Sequence, residues 1–115
     1  MKTTREKAFE IAQLLEDGKG GDVAIIEVSA LSSWADFFVI ATVTSSAHWQ
    51  GLHRQVTEYA YDNDMQVHQT NRRHPDSGDD WNLIDLGAVV VHLMSRDAHG
   101  FYALEELWQG GIRLR

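Results

Sequence analysis

The chain has 115 residues, 43% of them hydrophobic and 23% charged, and its 17 acidic against 10 basic side chains leave a formal charge of -7. That length suits one domain spanning residues 1–115, with a single core that folds without disulfides or a structural metal. The absence of cysteine excludes thiol catalysis, iron–sulfur clusters and cysteine-based zinc sites; the negative charge disfavours nucleic-acid readout and suits a basic protein partner.

The start of the chain, Met1 to Glu6, lacks the apolar stretch of a signal peptide, and the later apolar runs are only strand-length. A cytoplasmic protein without membrane contact is expected. Thr3 with Glu6 three residues on has the form of a capping box, and Ala8, Ile11, Ala12 and Leu15 recur at helical spacing. A first helix is predicted from about Thr4 to Asp17. Gly18, Gly20 and Gly21 end it, glycine being the residue that accepts the left-handed geometry of a helix terminus. Val23 to Val28 is short, β-branched and bounded by turn residues, as a buried strand is.

After a polar break from Ser29 to Ser33, Phe37 to Val43 is a continuous apolar run that predicts a central strand. The brevity of the link leaves open which way these two strands pair. Ser45 or Ser46 caps a second helix, in which Trp49, Leu52, Val56, Tyr59 and Ala60 form one buried face as far as about Asp62. A weaker strand begins at Val67, and Asn71 to Asp80, with the single proline Pro75, reads as an exposed loop. Trp81–Asp85 and Ala88–Met94 read as a hairpin joined at Leu86-Gly87, and a last helix from about Asp97 to Gln109 carries Phe101, Leu104, Leu107 and Trp108 on an apolar stripe before Gly110-Gly111. The predicted fold is α/β, a mixed β-sheet of about five strands with flanking helices, in the order α-β-β-α-β-β-β-α.

Catalytic and metal-binding signatures are sparse. His48 and His53 are five apart, which misses the spacing that brings two ligands together on a helix. Phosphate-binding glycine loops, the nucleophile elbow and the zinc-protease pattern are all missing. Asp62-Asn63-Asp64 has the form used by two-metal sites, but at a helix end. Asp79-Asp80 and Glu105-Glu106 are neighbours whose side chains diverge, unlike carboxylates that converge on a substrate. No catalytic residue, cofactor or metal is therefore predicted. The informative cluster is aromatic and acidic: Trp81, Asp85, His92, Phe101-Tyr102, Leu104-Glu105 and Leu107-Trp108. Four tryptophans exceed the ordinary needs of so small a core, and aromatics with a polar handle suit interfaces.

Three segments in order then resemble the ribosomal silencing factor family, also called Iojap-like proteins, over nearly the whole chain. They are Asp36 to Ile40 with Ser46 and His48, the Trp81 to His92 hairpin, and Phe101 to Trp108. The resemblance implies a fold similar to that of nucleotidyltransferases, without their Gly-Ser and paired-Asp signature. It implies a translational repressor that binds the large ribosomal subunit at a conserved β-barrel protein on the joining face and sterically blocks the small subunit. By the same resemblance Trp81, Asp85, His92, Tyr102, Glu105 and Trp108 match residues around the partner-binding surface. Trp81 and Tyr102 would be aromatic anchors, Asp85 and Glu105 would meet basic side chains, and His92 would donate to a carbonyl or satisfy a buried polar site. The chain departs from the family pattern at Val43-Thr44, where a glycine is common, at Glu27 in place of Asp, and at His99-Gly100 in place of an Arg-Glu pair. Two other readings stand beside this one: a nucleotide-handling enzyme centred on Asp62 and Asp64, and a scaffold whose aromatics pair in a homodimer.

Overall fold

The computed structural model describes residues 2–30, 35–67, 69–73, 81–95 and 111–114, with residues 69–73 and 81 described by their backbone alone. Helix α1 spans Thr4–Asp17, and the Thr3 hydroxyl accepts from the Glu6 amide at 3.1 Å while donating to the Glu6 carboxylate at 3.3 Å. Strands β1 (Gly21–Glu27) and β2 (Phe37–Val43) follow, then helix α2 (Ser46–Asp62), β3 (Gln69–Arg73), β4 (Trp81–Asp85), β5 (Val89–Ser95) and β6 (Ile112–Arg113). The helix expected over Asp97 to Gln109 lies outside the described residues, as does the Asp79-Asp80 pair.

The strands form one mixed sheet in the order β3-β4-β5-β2-β1-β6. Among the described strands only β2 and β5 run parallel, in register from Phe37 opposite Val89 to Val43 opposite Ser95. Every other pairing is antiparallel, which settles the direction of β1 against β2. The alternation of strand side chains divides the sheet into two faces. Ile25, Val39, Ala41, Ile84, Val91 and Leu93 pack against Ala8, Ile11, Ala12 and Leu15 of α1 and Leu52, Val56 and Ala60 of α2. On the other face Ala24, Ile26, Phe38, Ile40, Val90 and Met94 form a second buried cluster with Leu83 against it. All seven positions of β2 are buried, as a continuous apolar run demands of a strand covered on both sides.

Three details correct the sequence reading. Strand β3 takes in Asn71–Arg73, which had been assigned to the loop, because these residues ladder onto β4 from Asn71 opposite Leu83 to Arg73 opposite Trp81. Strand β6 is an addition of two residues on β1, too short to leave a periodic signature, and it is anchored by the Leu114 amide on the Ile25 carbonyl at 2.8 Å. The glycines after α1 do not supply its left-handed residue. Gly18 has φ -85°, and Lys19 takes φ 73°. The glycines are there for close approach: a Cβ on Gly20 would stand 2.8 Å from the Leu15 carbonyl oxygen, and one on Gly18 would stand 2.5 Å from Leu52 Cδ2.

Candidate interaction surface

The β4–β5 hairpin positions the predicted residues that lie among those described. Antiparallel register sets Leu83 opposite His92, Trp81 opposite Met94 and Asp85 opposite Val90. Trp81 is thus placed by its backbone at the far end of β4 from Asp85. The hairpin turns because Gly87 adopts φ 87°, where a side chain would be strained, while the Leu86 amide donates to the Val89 carbonyl at 2.9 Å. Asp85 is half-buried, and one carboxylate oxygen accepts from the Gly87 amide at 2.8 Å. The bond across two residues is an Asx-type turn, which fixes the carboxylate at the mouth of the hairpin.

His92 sits beneath this surface. It is 4% exposed, with its ring edge-on to Phe38 at a centroid distance of 4.7 Å. Its position on an inner strand gives it a role in packing the face that Leu83 and Asp85 share. Tyr102, Glu105 and Trp108 lie outside the described residues. The structure therefore brings Asp85 and His92 together on one hairpin, with Trp81 on the same pair of strands. A residue missed from the sequence is Asn82, which is 2% exposed and whose amide oxygen and nitrogen have no hydrogen-bond partner among the described residues. Its polar character within the Trp81–Asp85 strand was the available signal.

The histidines of α2 serve the fold. His48 Nε2 donates to the Gly18 carbonyl at 2.8 Å, and its Nδ1 accepts the Thr44 amide at 3.1 Å. One neutral ring thereby joins the end of α1 to the start of α2, where Ser45 caps the helix by accepting from the His48 amide at 3.0 Å. His53 stacks on Trp49 with centroids 5.3 Å apart, and burial holds its pKa below the ordinary value. Among the described residues no group of three or more His, Asp or Glu is arranged to hold a metal ion.

At the other end of the helices Lys2 pairs with Glu10 at 2.9 Å and donates to Asn63 Oδ1 at 3.0 Å, and the Tyr59 hydroxyl donates to the same Glu10 carboxylate. The Tyr59 hydroxyl, then Lys2, hold the Glu10 carboxyl below its usual range. Burial, then the Glu10 carboxylate, push the Tyr59 hydroxyl far above its own. Asn63 is spent in capping α2, Asp62 is the helix's last residue, and Asp64 follows with φ 58°. The cleft at the carboxyl ends of the parallel pair, where open α/β sheets place their ligands, is lined instead by Lys19, Asp22, Thr42 and Ser95. Asp64 lines a different cleft, with Thr4, Gly87 and Ala88.

The described residues thus define an α/β protein with a mixed sheet in which Asp85, His48, Glu10 and Asn63 are committed to turns, caps and helix contacts. The chain belongs to the ribosomal silencing factor family: the model of that family, described as ribosomal silencing factor during starvation, matches residues 1–113. A ribosomal silencing factor of Treponema pallidum is 41% identical over 103 residues, 89% of this chain and 89% of that protein. A mouse protein named for mitochondrial assembly of the ribosomal large subunit is 33% identical over 104 residues, covering 85% of this chain and 43% of that one. A crystal structure from Chromobacterium violaceum superposes with a TM-score of 0.82 at 28% identity, over 94% of this chain and 88% of that chain. Among the described residues no helix is long and apolar enough to cross a membrane.

Proposed function

We propose that this chain represses translation without catalysing a reaction, by binding the large ribosomal subunit at a basic β-barrel protein on its joining face and excluding the small subunit. Family membership supports the ribosomal role, and the name of the mouse relative directs attention to the large subunit. The observation that carries the site is Asp85, a carboxylate fixed by its own turn at the mouth of the β4–β5 hairpin. On this reading Asp85 and Glu105 pair with cations on the partner, Trp81, Tyr102 and Trp108 exclude water around them, and His92 supports the surface from below. A formal charge of -7 favours encounter with a basic protein over one with phosphate.

Co-sedimentation with purified large subunits, paired with a subunit-joining assay, tests the reading. Binding with inhibition of joining is expected, and failure to bind at micromolar concentration counts decisively against it. Trp81→Ala or Tyr102→Ala is expected to weaken binding by about 2 kcal/mol where the residue is a hot spot, with circular dichroism showing that the variant remains folded.

A further inference from the structure

We propose that the cleft between the start of α1, the end of α2 and the β4–β5 turn is a second contact of the docking surface, where Tyr61 and Asp64 receive a cationic side chain of the ribosomal protein. The inference rests on the subunit-binding reading above. The cleft encloses about 610 Å³ and is walled by Lys7, Tyr61, Asp64, Met65, Leu86 and Gly87. Gly87 is the residue whose amide the Asp85 carboxylate holds, so this wall continues directly from the hairpin mouth.

Tyr61 is 86% exposed, off the buried stripe of Leu52, Val56 and Ala60 on its own helix. Val67, at 42%, and Ile112 are the other large hydrophobics exposed among the described residues, and neither lines the cleft. A single exposed apolar side chain is unremarkable on a surface, but Tyr61 stands on the wall of a cleft. Asp64 occupies a left-handed position at φ 58°, after the end of α2, where glycine is the favoured residue. Its carboxylate is exposed and makes no hydrogen bond or ion pair among the described residues.

An aromatic face beside an uncommitted carboxylate is complementary to a flat cation: a guanidinium stacks on the ring and pairs with the oxygens. Phosphate would meet the Asp64 charge, with Lys7 the one cation among the described residues of the cleft wall. A second copy of the chain would bring the same charge of -7.

The test is the affinity of the full chain for purified large subunits across a salt series, for wild type, Tyr61→Ser, Asp64→Asn and Trp81→Ala. Asparagine tolerates the left-handed conformation and Tyr61 is solvent-exposed, so thermal melts should stay close to wild type. We expect Tyr61→Ser to lose about tenfold and Asp64→Asn about threefold in affinity, the latter with a shallower salt dependence. Wild-type affinity in both variants, with binding lost in Trp81→Ala, would overturn the cleft contact and leave the docking reading standing. Tighter binding by Asp64→Asn would mean an anionic occupant such as RNA phosphate and would also overturn it. Absence of binding by the wild type would overturn both.

Discussion

The two faces of the sheet are built from the same strands yet filled differently. Among the described residues the face under α1 and α2 holds apolar side chains, Phe37 with them, and the buried amide of Asn82, whereas the opposite face admits His92 and Thr42 into its interior and ends in Asp85. The difference shows where a small domain can carry polar chemistry. Strand side chains under helices must interlock with two helical ridges at once, so a polar group there has few partners within reach. At a hairpin mouth a backbone amide is available, and a carboxylate becomes part of the turn.

Adjacent substitutions in β4 probe this contrast most sharply. Ile84, fully buried on the helix side, should lose about 3 kcal/mol of unfolding free energy on truncation to alanine. Asp85→Ala, one position on, should cost about 1 kcal/mol through the lost turn bond while weakening binding to the large subunit. Equal losses of stability in denaturant titrations would erase the distinction between the faces.

A second comparison stays on the helix side. Gly20→Ala should destabilise by about 2 kcal/mol, because its Cβ would stand 2.8 Å from a backbone oxygen that cannot turn aside. Gly51→Ala, with nothing within 4 Å of the new Cβ, should instead stabilise α2 by about 1 kcal/mol through helix propensity. Calorimetric melting temperatures moving in opposite directions would bear this out. Asp64→Gly should also stabilise, by about 1 kcal/mol, by relieving a left-handed aspartate. A gain in melting temperature alongside weaker subunit binding would separate the fold's preference from the surface's.

The smallest expected effect is on pH. Burial lowers the pKa of His53 from its ordinary 6.5, so the unfolded chain takes up the proton more readily than the folded one. The stability contributed by the neutral ring is therefore complete above that ordinary value and declines as pH falls through the lowered one. Denaturant midpoints should fall on mild acidification, and His53→Gln should flatten that slope.

Much of this was legible beforehand. Thr3 and Glu6 marked the start of α1, and the apolar run Phe37–Val43 coincides with β2 at both ends. Trp81–Asp85 coincides with β4, with Leu86-Gly87 in the turn as read. Strand β3 was half hidden because Gln69–Arg73 is polar throughout and lacks the apolar alternation that marks a strand, so only its ladder to β4 reveals it. Tyr61 went unnoticed although an aromatic off the buried stripe of an amphipathic helix was a readable signal.

Local pattern alone determined α1, α2, the buried strands and the hairpin, because caps, turn residues and periodicity act over a few residues. Only the tertiary structure decided that β1 lies antiparallel and β5 parallel to β2, since sheet neighbours are chosen by packing between distant segments. It also decided that His48 ties one helix to the other, that Gly18 and Gly20 yield space while Lys19 takes the left-handed turn, and that Asp64 shares a cleft with the hairpin. Each of these depends on atoms far apart in the chain, whose distance no local spacing encodes.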